Sequence, residues 1–265
     1  MNIFIQEMKA HRKSIIIWCI GMFFMIVAGM GKFSAYSSTG QSINDIIAKI
    51  PKSVRIIMGF GDYDVSKASG YFALLFLYLV LMATIHAVML GANIISKEER
   101  DKTSEFLFVK PVSRNRIITF KILASLVNIT ILNIITLISS IVLVGKYSKG
   151  ETVTNEIIKL MVGMFIIQLI FLVIGTGLAA ITQNPKTATS GATGILLITY
   201  MLSIFVDLNN KIENLKYLTP FKYFEAKNLI NGGGFDPVFV VLSILIIAIL
   251  TSGTYLFYKK RDLNV

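Results

Sequence analysis

The sequence predicts an all-α polytopic membrane protein of six transmembrane helices, and three observations carry that reading. Hydrophobic residues make up 54% of the 265-residue chain and charged residues only 15%, with a mean hydropathy of +0.70; an ordinary soluble domain is about 25% charged. The charges are also segregated, because six charge-free runs interrupt them: Ser14–Gly31, Ala68–Ser96, Ile122–Gly145, Leu160–Pro185, Thr187–Val206 and Pro237–Tyr258. These hold 18, 29, 24, 26, 20 and 22 residues. A helix rising about 1.5 Å per residue needs about 20 apolar residues to cross a hydrocarbon layer roughly 30 Å thick, so each run can span. Finally, the longest charged stretch between runs, 32–67, has 36 residues, too few for an independent catalytic domain of ordinary size. The chain reads as one transmembrane domain, 1–265, with spans near 14–31, 70–96, 122–145, 160–183, 187–206 and 237–258.

Orientation follows from the basic residues. Of 26 Lys and Arg, alternate segments carry 14 and 12. The 14 crowd into the segments 1–13, 97–121, 186 and 259–265, whereas the 12 spread over much longer ones. Density beside the spans is what the positive-inside rule weighs, so both termini are expected in the cytoplasm. The amino end lacks a clear small-x-small cleavage site after its apolar run, which favours a retained anchor over a cleaved signal. Net charge +11 with pI near 9.6 suits the anionic inner leaflet better than nucleic acid in a chain this apolar. The one cysteine, Cys19, has no partner for a disulfide or thiolate cluster.

In chain order, Met1, Phe4, Ile5 and Met8 recur at helical spacing, with Gln6, Glu7 and Lys9 elsewhere on the wheel. A short amphipathic leader helix along the inner leaflet is expected. Beyond the first span, Ile43, Ile46, Ile47 and Ile50, then Val54, Ile57 and Met58, keep an apolar stripe on both sides of Pro51, as in a loop that caps the outer face. Gly59, Phe60, Gly61 and Asp62 look like the signature of an intramembrane aspartyl protease. That chemistry needs two facing carboxylates within the membrane, and no span contains Asp or Glu. The second run is longer than the bilayer requires and should extend into the cytosol before Lys97. Along it Tyr71, Tyr78, His86 and Asn93 are 7, 8 and 7 residues apart, one helical face. Polar groups in hydrocarbon turn toward protein or water, so these four either line a path or hydrogen-bond between helices.

Residues 97–121, KEERDKTSEFLFVKPVSRNRIITFK, are the most charged segment, with Phe106, Leu107, Val109 and Val112 as an apolar patch among charges. Such a patch suits either docking of another protein or rest on lipid. Later, residues 187–194 concentrate small side chains that would let a second helix approach closely, within the chain or across a dimer seam. Asn184 and Pro185 mark a tight turn, and Gly232, Gly233 and Gly234 a hinge.

Glu98 and Glu99, Thr103 and Glu105, then Pro111, Val112, Ser113 and Arg114, followed by Ile117 and Lys121, resemble the pattern of the ABC-2 type permeases of ABC transporters. The pattern departs at Lys102, where a glycine is common. Leu218, Thr219, Pro220, Phe221, Lys222, Tyr223 and Phe224 resemble an element that the family carries between the fifth and sixth spans, with Thr219 in place of Ser and Lys222 in place of His. The resemblance extends over essentially the whole chain. It implies that the paired acids end the second span and that residues to Arg114 form a cytoplasmic coupling helix between spans 2 and 3. It further implies a short helical segment in the last outer loop, marked by Pro220, Phe221, Tyr223 and Phe224, and a central path flanked by the second and fifth spans.

It also implies partners: separate ABC ATPase subunits beneath the coupling helices, and a second permease subunit, identical or paralogous, in a bacterial plasma membrane. Phe106, Leu107 and Val109 would enter an ATPase groove, with Glu98, Glu99, Glu105 and Arg114 setting register, unless Glu99 and Arg114 pair within the chain. No cofactor is expected in this chain, ATP and magnesium being held by the ATPase. Neither Gly31-Lys32 nor Gly145-Lys146 has the surroundings of a P-loop. Proton or sodium coupling would need intramembrane carboxylates, and an intramembrane enzyme a base beside a nucleophile; His86 has no acidic residue within its span. The expected function is thus a non-enzymatic exporter permease for amphipathic or hydrophobic cargo such as an antimicrobial peptide, toxin or lipid-like compound. The alternative is an immunity or sensor protein that binds a peptide at its outer face.

Overall fold

The computed structural model describes residues 3–38, 43–61, 63–101, 112–148, 150, 153–182, 184–230 and 233–260. Among these the secondary structure is helical, with no strand. The six long helices are α1 (Ile3–Ser38), α4 (Ala68–Arg100), α5 (Arg114–Tyr147), α6 (Thr154–Ile181), α7 (Pro185–Leu208) and α9 (Pro237–Lys260). All six are long and apolar enough to cross a membrane. Short helices α2 (Ile43–Ala48) and α3 (Lys52–Ile57) flank Pro51, as the interrupted apolar stripe requires. Between α7 and α9 come 3-10 helices Asn210–Leu218 and Pro220–Lys222, then α8 (Ala226–Ile230).

Local chemistry sets several boundaries. The Ser113 hydroxyl accepts from the Arg116 amide at 3.4 Å and starts α5. Asn184 Oδ1 accepts from the Lys186 amide at 2.9 Å, and Pro185 occupies the first turn of α7, where its missing N–H costs nothing. α4 continues through Arg100, past the apolar run, as its length predicted. Gly233 donates to the Asn228 carbonyl at 3.1 Å beyond α8, and Gly234 has φ +63°. That pair turns the chain toward α9, while Gly232 and Asp62 lie outside the described residues.

The leader departs from expectation, since no separate helix precedes the first span. α1 is continuous from Ile3 to Ser38 because no proline interrupts it and its first turns have protein to pack on. Ile3 and Glu7 are buried, and Phe4 and Met8 pack against a cluster that includes Ile94, Ile118, Ala124 and Tyr258.

The bundle is built around α4 and α6. Their most apolar windows are 56% and 61% buried within the protein, against 17–33% for the other four long helices. The reason is backbone proximity. A Cβ added at Gly91 would lie 2.3 Å from the Leu172 carbonyl oxygen, and one at Gly175 would lie 2.4 Å from that of Val88. Only glycine permits this crossing, which sets Ala87 in one cluster with Leu172 and the Ala92 backbone beside Gly175. The small-residue run of α7 plays a lesser part: Ala188 and Ala192 are buried, but a Cβ at Gly194 would meet nothing within 4 Å.

Candidate functional site

At the bundle end where α1 begins, called the near end here, Glu7, Lys97, Glu98 and Lys121 converge from three helices. Lys121 is wholly buried. Its ammonium donates to both oxygens of Glu98 at 2.7 Å and also to the Ile94 carbonyl. Glu7 Oε1 lies 3.5 Å from the same ammonium, and Glu7 Oε2 accepts from Lys97 at 3.2 Å. The His11 ring nitrogen Nε2 is 3.8 Å from Glu7 Oε2. A buried ammonium is tolerable only with its charge and hydrogen-bonding capacity met, and here two carboxylates and a carbonyl meet them. The result is an ionic clamp joining the start of α1, the end of α4 and the start of α5.

That clamp brackets the segment proposed to couple. Thr103, Glu105, Phe106, Leu107, Val109 and Pro111 lie outside the described residues. Of those on either side, Glu98 points inward to Lys121, with its side chain 14% exposed. Glu99, Val112 and Arg114 are half-buried and Ser113 is exposed. Arg114 donates from Nη1 to the Lys259 carbonyl at 3.0 Å, which ties the start of α5 to the end of α9. Nearby, Thr119 and Tyr255 share a hydroxyl hydrogen bond of 2.8 Å.

The four polar residues of α4 do not form one connected line. Tyr71 packs its ring on Phe33 and His86 on Trp18, each with centroids 5.3 Å apart, so both face α1. Tyr78 donates to the Met58 carbonyl at 3.1 Å, anchoring the loop after α3. Asn93 donates to Met89 of its own helix and accepts from Arg100 Nη1 at 3.2 Å. His86 is buried, and its Nδ1 has no hydrogen-bond partner among the described residues.

At the opposite, far end, Pro220, Phe221, Tyr223 and Phe224 fold into the bundle and are buried. Phe221 lies 5.2 Å from the Phe171 ring and 5.3 Å from that of Tyr200, and Tyr223 stacks on Phe239 at 4.9 Å. Tyr223 also donates to the Tyr217 carbonyl at 2.6 Å. Burial pushes its phenol up to about 12. Lys222, 5% exposed, is held by Asp207 and Glu225. A lysine between proline, phenylalanine and tyrosine could have been read from the sequence as a charge needing partners. Glu7 offered a similar signal, as the lone acid of the first 44 residues. Neither sequence signal names the partner.

No curated protein matches the chain in sequence. The family model described as ABC-2 family transporter protein matches residues 1–263. A match over nearly all of the chain, on six helices fit to span a membrane, makes this protein a member of the ABC-2 family, the membrane component of transporters that work with ABC ATPases.

Proposed function

We propose that residues 1–265 form one permease domain of an ABC exporter, carrying amphipathic or hydrophobic cargo under the power of separate ATPase subunits. The observation that carries this reading is the clamp on Glu98. Lys121 and Glu7 brace both flanks of segment 102–111 to three helices, so a force applied there would reach the spans rather than bend a loose loop. Phe106, Leu107 and Val109 supply the apolar contact with the ATPase, which binds ATP and magnesium. The density of lysine and arginine at this end supports a cytoplasmic near end, hence cytoplasmic termini, and the family resemblance suggests a bacterial plasma membrane. Exposed apolar residues on α1 and α7, among them Ile17, Phe24, Ile198 and Phe205, leave a surface for lipid or a second permease subunit.

Affinity purification from native membranes in mild detergent tests the reading, with mass spectrometry of stoichiometric partners. A P-loop ATPase should co-elute, Phe106→Asp with Leu107→Asp should abolish its association without preventing insertion, and inverted vesicles should show ATP-dependent movement of cargo. Unchanged co-elution of the double variant would refute the docking assignment. Co-elution without ATP-dependent movement would favour the sensor alternative.

A further inference from the structure

The far end contains a cavity of about 600 Å³, bounded by α4, α6, α7 and the loop leading to α9. Small-molecule sites occupy roughly 300–1,000 Å³. Its floor is apolar, formed by Ala73, Phe76, Leu77 and Val80 of α4 and Ile167 of α6. Of these, Leu77 is half-buried and open to the cavity, while Ala73, Phe76, Val80 and Ile167 are buried behind it. Its rim is ionic and balanced, with four lysines and four carboxylates.

Those rim charges are not equally committed. Lys222 is taken by Asp207 and Glu225, and Lys216 by Glu213 at 2.8 Å. Lys52, exposed on α3, has no ion-pair partner among the described residues. Also in the lining, the rings of Tyr200 and Phe221 meet edge to face. Aromatic faces attract a quaternary ammonium, a free lysine attracts an anionic oxygen, and a balanced rim prefers neither net sign.

We infer that this cavity binds a single-chain zwitterionic amphiphile. Its alkyl chain packs against Leu77, its anionic group meets Lys52, and its ammonium group lies beside the half-buried ring of Tyr200. The inference concerns one subunit's own cavity and does not depend on the exporter reading.

The test is native mass spectrometry of the full chain in nanodiscs, titrated with lysophosphatidylcholine and, separately, with lysophosphatidic acid of the same chain length. One lysophosphatidylcholine should bind, at least about tenfold more tightly than lysophosphatidic acid, which lacks the ammonium group. Lys52→Glu, at an exposed position, should weaken that binding about tenfold, and Leu77→Trp should abolish it by filling the floor while the protein remains monodisperse. A lysophospholipid adduct present before titration and lost in Leu77→Trp would identify the membrane as the source. A vacant protein that binds only added probe would identify a free amphiphile. Equal binding of both probes, or wild-type affinity in both variants, would overturn the inference.

Discussion

Lys121 Nζ lies 2.7 Å from each carboxylate oxygen of Glu98, in a site from which the lysine side chain is wholly excluded from solvent. Removing the lysine would leave Glu98 and Glu7 beside an uncompensated buried space. Breaking a buried pair from one side costs roughly 3–5 kcal/mol. Lys121→Met should sit near the lower figure, about 3 kcal/mol, because Lys97 still reaches Glu7. Adding Glu98→Met should recover most of the loss. Thermal unfolding in detergent measures both, and a single variant that melts like the wild type would show that the clamp adds no stability.

The α4–α6 crossing predicts an asymmetry among glycines. Gly91→Ala and Gly175→Ala drive a methyl into a carbonyl of the facing helix, and overpacking of this kind costs about 1–3 kcal/mol. Gly194→Ala meets nothing within 4 Å and should gain up to about 1 kcal/mol from helix propensity. The yield of monodisperse protein and the melting temperature should fall for the first two and not for the third.

Asn133 donates to Gln168 Oε1 at 2.9 Å across α5 and α6, both residues being buried. Gln168 Nε2 has no partner among the described residues. Asn133→Leu should therefore cost more than Gln168→Leu, since it strands the whole amide. Interhelical hydrogen bonds in membranes couple by about 0.6 kcal/mol on average, and a double-mutant cycle by reversible unfolding should return a value of that order. A coupling of zero would mean that the amides act independently.

Tyr63 and Tyr223 are both pushed up to about 12, burial being the main cause. The unfolded phenol titrates near 10, so between about 10 and about 12 the native state holds protons that the unfolded state has released. Stability is therefore full below pH 10 and declines as pH rises through that window. Ultraviolet titration should find Tyr63 and Tyr223 among the tyrosines that ionise late. Tyr63→Phe and Tyr223→Phe should each remove one of them. A single transition near 10 for all ten tyrosines would contradict the burial of these phenols.

The candidate site was legible in part. Glu98 and Arg114 stand out beside a charged segment after a long span, but the sequence did not show that Lys121, 23 positions further on, holds Glu98 within the chain. Tyr71, Tyr78, His86 and Asn93 share a face by spacing, yet Phe33, Met58, Trp18 and Arg100 engage them separately. The leader was read as a separate amphipathic helix, whereas the structure continues it into the first span, with Phe4 and Met8 packed on protein and Ile5 exposed.

By itself the sequence determined the number, order and approximate limits of the long helices. A bilayer demands about 20 consecutive apolar residues and tolerates few charges among them, so composition along the chain encodes each span locally. Its motifs also pointed to the family. The tertiary structure alone decided that α4 and α6 are central, that Glu7 and Glu98 share Lys121, and that Lys222 is buried between two carboxylates. Those outcomes depend on how each helix is rotated about its axis and on where glycine lets two backbones meet. Both are relations between residues tens of positions apart, which no local periodicity records.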